Sequence, residues 1–184
     1  MKSKSTLFAE SIESLFFPDK VIIAGGIIAI LYVLNSGLLT NNSLVFFGSL
    51  SVYYFVGKFM KSKIRNPDKI HMSSAIFATL FFFVSSSILQ VSDELAFGAT
   101  SIFLNLILLS IIRDFWKISA HAFVYANTST ILTLIDTNFI ISFVFLPLVI
   151  WSRIKLNRHT YSQVLMGSIT GFLLPAFIYN FGFY

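Results

Sequence analysis

Leu95-Ala-Phe-Gly-Ala-Thr-Ser-Ile-Phe-Leu-Asn-Leu-Ile-Leu-Leu-Ser-Ile-Ile112 is a run of 18 residues without a charge. A helix that crosses a bilayer needs about 20 predominantly apolar residues. Asp93 and Glu94 precede this run and Arg113 follows it, so its two ends carry opposite charge. Outward from it, the same pattern recurs along the 184-residue chain. Seven candidate spans are predicted, over 21–39, 43–57, 72–91, 95–112, 118–135, 139–151 and 161–181. Tight turns are predicted at Thr40-Asn-Asn42, Ser92-Asp-Glu94 and Asp136-Thr-Asn138, each pairing two spans as a helical hairpin.

Helix is the element these runs demand, because backbone groups in lipid must be satisfied within their own segment. A β-barrel would need alternating apolar and polar positions. Leu80-Phe-Phe-Phe-Val84 and Leu106-Ile-Leu-Leu109 do not alternate. The expected fold is therefore all-α, a polytopic bundle of six or seven transmembrane helices forming one integral membrane domain over 1–184. Residues 5–17 have apolar positions at helical spacing, and the segment 1–18 reads as an amphipathic helix lying at the interface.

Composition agrees. Hydrophobic residues make up 56% of the chain and charged residues 11%, against about 25% charged in a soluble domain. There is no cysteine, which excludes disulfides, iron–sulfur clusters and thiol chemistry. Few carboxylates and no thiol argue against a metal site. The N-terminus lacks the long apolar core of a cleavable signal peptide, since Glu10, Glu13 and Asp19 follow Lys2 and Lys4 closely. The net charge of +5 comes with no basic tail or aromatic-basic platform, so nucleic acid is not an expected partner.

The cations are distributed unevenly. They fall at Lys2, Lys4 and Lys20, at 58–71, at 113–121 and at 153–159. If the apolar runs span, all 13 Lys and Arg and all 3 His gather on one side, opposite Asp93, Glu94 and Asp136. The positive-inside rule places that side in the cytoplasm, in a cell membrane or, in a eukaryote, the endoplasmic reticulum. Trp116, Trp151 and Tyr161 flank it as an aromatic belt would. Asn105, Asn127 and Thr128–Thr130 lie within spans and are expected to bond across helices. Pro147 and Pro175 are expected to kink their helices, and Gly167 with Gly171 to let two helices approach closely.

Topology accounts for Lys and Arg but not for two histidines at matching helix ends. Arg113-Asp-Phe-Trp-Lys-Ile-Ser-Ala-His121 and Ser152-Arg-Ile-Lys-Leu-Asn-Arg-His159 each supply cations, a hydroxyl and an imidazole. Phosphoryl transfer uses those parts. Cations stabilise the equatorial oxygens, and an imidazole, titrating near neutrality, serves as nucleophile or proton donor. The structural alternative for each is a helix-end cap or an interfacial side chain, and His71 reads that way. Asp114 reads as a partner of Arg113 or Lys117, or as a group orienting a histidine.

Ser152-Arg153-(five residues)-His159, running on into Val164-Leu-Met-Gly167, resembles the third signature of the type-2 phosphatidic acid phosphatase superfamily. Lys117-Ile-Ser119-Ala-His121 resembles its second signature in a K-I-S-x-H form. The resemblance covers residues 58–171, the phosphatase-like core. Lys58 and Arg65 have the spacing of the first signature, K-x6-R-P, but Asn66 intervenes before Pro67, and Lys61, Lys63 and Lys69 compete for the role. The family's Asp four residues after the nucleophile is Gln163 here, which at i, i+4 can still reach His159.

The resemblance implies a metal-independent membrane lipid phosphatase without cofactors. His159 would be the nucleophile, forming a phosphohistidine, and His121 the acid for the leaving lipid alcohol. Arg153, Lys117, Ser119 and Ser152, with Lys58 and Arg65, would hold phosphate oxygens, supported by Gln163 and Asp114. The substrate would be a membrane lipid, either a polyprenyl diphosphate such as an undecaprenyl or dolichyl diphosphate, or phosphatidate. Many members work on the extracytoplasmic face, whereas the charge pattern here puts the site in the cytoplasm. The alternative is a carrier or non-catalytic membrane protein that binds lipid phosphates. Oligomeric state is not legible in the sequence.

Overall fold

The computed structural model describes residues 3–16, 27, 31, 39–61, 67–89 and 91–182. Among them are seven α-helices, one 3-10 helix and no strand. The α-helices are α1 (Lys4–Leu15), α2 (Leu39–Lys61), α3 (Pro67–Ile88), α4 (Asp93–Phe115), α5 (Ala120–Ile135), α6 (Leu146–Lys155) and α7 (Tyr161–Phe181). The 3-10 helix covers Thr137–Phe145. The predicted span 21–39 lies almost wholly outside the described residues, as do Lys63 and Arg65. Three segments are long and apolar enough to cross a membrane among the described residues: Asp93–Phe115, Thr137–Lys155 and Tyr161–Phe181.

The chain divides into two compact units, Met1–Gly25 with Ile111–Phe181, and Gly26–Ser110 with Gly182–Tyr184. In the second unit α2 packs along α3. Gly48 admits the ring of Phe81, whose Cε1 would lie 2.7 Å from an added Cβ. Phe83 stacks on Phe103 at 5.7 Å, joining α3 to α4. Lys58 and Lys61 close the last turn of α2, where a cation meets the negative end of the helix dipole. Asp93 and Glu94 occupy the first turn of α4 and Arg113 its last, the arrangement that the same dipole favours.

The first unit is built around α5. Ten of its residues between His121 and Ile131 are buried, on every face of the helix, as expected of a helix enclosed by others. Helix α7 lies along it so closely that a Cβ on Gly167 would meet the Ser119 carbonyl oxygen at 2.7 Å. One on Gly171 would meet that of Phe123 at 2.3 Å. The close approach expected of these two glycines is therefore present. The Tyr125 hydroxyl donates to the Ser142 carbonyl (2.7 Å), tying the 3-10 segment to α5. Along the 3-10 segment and α7 the outward side chains are apolar: Ile140, Ile141, Val144 and Leu173 are each more than half exposed. A continuous apolar exterior of this kind belongs against lipid.

Five expectations need correction. Thr40-Asn-Asn42 is not a turn: these residues lie in the first turn of α2, where short polar side chains are well tolerated. The span predicted over 118–135 begins at Ala120, because Ser119 caps it, accepting from the Ala122 amide at 3.4 Å. The helix predicted over 139–151 is a 3-10 segment followed by α6. Pro147 lies in the first turn of α6, where its missing N–H costs nothing, so it ends one helix type and starts another instead of kinking a single helix. Finally, two of the polar residues expected to bond across helices bond along their own: Asn105 Nδ2 donates to the Ser101 carbonyl (2.8 Å) and Thr130 Oγ1 to the Ala126 carbonyl (2.7 Å).

Candidate active site

The site forms where α5, α6 and α7 end. Helix α6 stops in a Schellman motif. Asn157 takes the left-handed conformation (φ 52°), its amide donates to the Ile154 carbonyl (3.0 Å), and the Arg158 amide donates to that of Arg153 (3.0 Å). Asparagine tolerates this backbone better than most residues. The reversal carries the chain from Arg153 to His159 in one tight loop.

Helix α7 then starts with a capping box. The Gln163 amide donates to Thr160 Oγ1 (3.4 Å), and the Thr160 amide donates to Gln163 Oε1 (3.0 Å). The same Gln163 oxygen lies 3.3 Å from His159 Nδ1. That oxygen can only accept, so Nδ1 carries the ring hydrogen in this contact. Gln163 therefore both caps α7 and orients His159. The start of α5 is pinned beside it, because the Ser119 amide donates to the Gln163 carbonyl (3.1 Å).

This register brings His121, in the first turn of α5, together with His159 and Arg153. The Arg153 guanidinium is within electrostatic reach of both imidazoles, the two imidazoles of each other, and Lys117 of His159. His121 and Arg153 are buried and His159 is half-buried. Burial, then the Arg153 guanidinium, holds the His159 imidazole below its ordinary range, against the Gln163 and Lys117 backbone contacts that favour its protonated form. The balance favours the neutral ring relative to a free imidazole.

The other expected residues divide. Ser119 is fully buried and caps α5. Ser152 is fully buried, and its hydroxyl donates to the Val149 carbonyl of its own helix (2.8 Å). Lys117 and Asp114 are exposed at the surface of the same unit. Lys58 is exposed and belongs to the other unit. Arg65 lies outside the described residues. Among the described residues no group of His, Cys, Asp or Glu could hold a metal ion.

The sequence did not point to Glu13. Its Oε1 accepts from Arg153 Nη1 in a short ion pair and lies 3.8 Å from Arg158 Nε. A signal was nevertheless available. Ala9, Ile12, Glu13 and Phe16 lie on one face of α1 by their spacing. Ala9 and Ile12 are buried, and Phe16 meets Tyr125 and Phe145 at 5.1 and 6.0 Å. A carboxylate inside that stripe calls for a cationic partner.

Chemically, the cluster sets a guanidinium–carboxylate pair beside two imidazoles. Arg153 bonds the Glu13 carboxylate and the exposed Arg158 lies 3.8 Å from the same oxygen; the N-termini of α5 and α7 adjoin, and helix N-termini favour negative charge. Comparison with known protein families, with characterised proteins and with solved structures returned no match.

Proposed function

We propose that this chain is an integral membrane lipid phosphatase that hydrolyses a lipid phosphate or polyprenyl diphosphate through a phosphohistidine. One observation carries the reading: His121 at the start of α5 and His159 in the α6–α7 loop share the field of one buried arginine that is already engaged with an anion. The K-I-S-x-H and S-R-x5-H resemblance supports the same reading from the sequence side.

In this proposal Arg153 and Arg158 hold the phosphoryl oxygens as their negative charge builds in the transition state. The His159 lone pair forms a bond to phosphorus as the bond from phosphorus to the leaving oxygen breaks, that oxygen belonging to the lipid alcohol in a monophosphate and to the lipid monophosphate in a diphosphate. His121 gives its proton to that oxygen. A bound phosphoryl anion favours the protonated His121 ring. Water then attacks phosphorus, His121 takes the water's proton, and the nitrogen–phosphorus bond breaks to release inorganic phosphate. Gln163 orients His159 without lending it charge. Exposed Trp116, Trp151 and Tyr161 near this end of the unit suit a site at headgroup depth, which a lipid enters sideways.

The test is phosphate release in detergent without added metal, from a panel of polyprenyl diphosphates and phosphatidate. Wild type is expected to turn over at least one of them, and His159→Ala and His121→Ala none at a comparable rate. Equal release from all three proteins would remove the catalytic role.

A further inference from the structure

The anion seat is occupied by the protein itself. Arg153, only 6% exposed, gives Nη1 to Glu13. Its Nε is buried with no hydrogen-bond partner among the described residues. An arginine poised for a phosphate needs a donor facing an open path, and this one is closed over by α1. The closure is built by packing on both sides of Glu13. Phe8 meets Trp151 of α6 at 5.9 Å on one side, and Phe16 meets Tyr125 of α5 at 5.1 Å on the other. Between them Ala9 and Ile12 are buried. The opposite side of α1 exposes Leu7 and Leu15, each more than half, so the helix has a second apolar surface to offer lipid when it leaves.

We propose that Glu13 is a substrate-mimicking plug. Its carboxylate holds Arg153 and Arg158 in the resting state, and a phosphoryl group binds only as α1 lifts and releases them. The proposal rests on the phosphate reading of Arg153. A carboxylate and a phosphate oxygen make the same charge-assisted bonds to guanidinium, so the two compete for one seat. Apparent affinity for the phosphoryl group is then reduced by the fraction of molecules that are open.

The experiment uses the full chain in detergent with inorganic phosphate and orthovanadate as probes. Glu13→Gln keeps the side-chain shape and removes the competing charge. It is expected to tighten phosphate and vanadate affinity about tenfold through the larger open fraction, while Glu10→Gln, which takes the same charge off the same helix, leaves affinity where it was. Hydrogen exchange on wild type reads the motion directly and needs no variant that must fold: the α1 amides are expected to exchange faster with vanadate bound. Unchanged affinity in Glu13→Gln, or α1 amides slowed by vanadate, overturns the plug. If wild type releases phosphate from lipid and either of those results is found, Glu13 alone is wrongly assigned. If no lipid is hydrolysed but Glu13→Gln binds phosphate more tightly, the plug stands and the enzyme reading fails.

Discussion

His159 is where local chemistry is most constrained. Its ring is pulled one way by burial and Arg153, and the other by the Gln163 oxygen and the Lys117 backbone. The first pair wins, so its proton is lost below the ordinary imidazole value of about 6.5. A nucleophilic imidazole must be neutral, so kcat/KM rises with pH as this proton leaves. The acidic limb of the profile is expected below that value. Gln163→Glu keeps the contact and adds a negative charge, which favours the imidazolium. It is expected to move the limb to higher pH, measured as kcat/KM across about pH 4.5 to 8.5, about two units either side of the ordinary imidazole value. A limb that stays in place would show that Gln163 does not govern this histidine. The sequence carried both histidines and Arg153, because each stands in a local pattern. It did not carry Glu13, whose partner is 140 positions away; such pairings leave no periodic trace.

At the scale of elements, the site depends on how close α5 and α7 lie. Gly171 faces the Phe123 carbonyl oxygen at 2.3 Å and the Asn127 amide at 3.1 Å from an ideal Cβ. Neither backbone atom can rotate aside, so Gly171→Ala must push the helices apart. Overpacking of this kind costs about 1–3 kcal/mol, and it shifts Ser119 relative to Gln163. A lower unfolding temperature in detergent is expected, together with a loss of phosphate release larger than that of Leu173→Ala, whose side chain faces outward. Native stability and activity in Gly171→Ala would mean that the two N-termini do not need this spacing. Spacing of small residues made this contact legible in advance. The type of helix over Thr137–Phe145 was not legible, because an apolar run has the same composition as α-helix or 3-10. The choice here falls to Pro147, which cannot donate to the Phe143 carbonyl, and to a β-branched, aromatic run with weak α-helical preference.

For the molecule as a whole, apolar length and charge asymmetry made the all-helical membrane character legible, since those terms act over whole segments. The same asymmetry sets the expected sidedness. Thr137–Lys155 runs from Asp136 to the Arg153–Lys155 end, and the positive-inside rule puts the latter in the cytoplasm. The chain has no cysteine, so single introduced thiols report cleanly. Asp136→Cys is expected to react with an impermeant maleimide in intact cells, and Lys155→Cys only after permeabilisation. The reverse pattern would place the site outside. Either orientation leaves the proposed chemistry unchanged, and that proposal is tested most directly through the covalent intermediate it requires. Wild-type protein mixed with a lipid substrate labelled in its phosphoryl group and quenched in alkali, where phosphohistidine survives, should carry the label on the peptide containing His159. Phosphate released with no label on that peptide, or label on a different residue, would contradict the account.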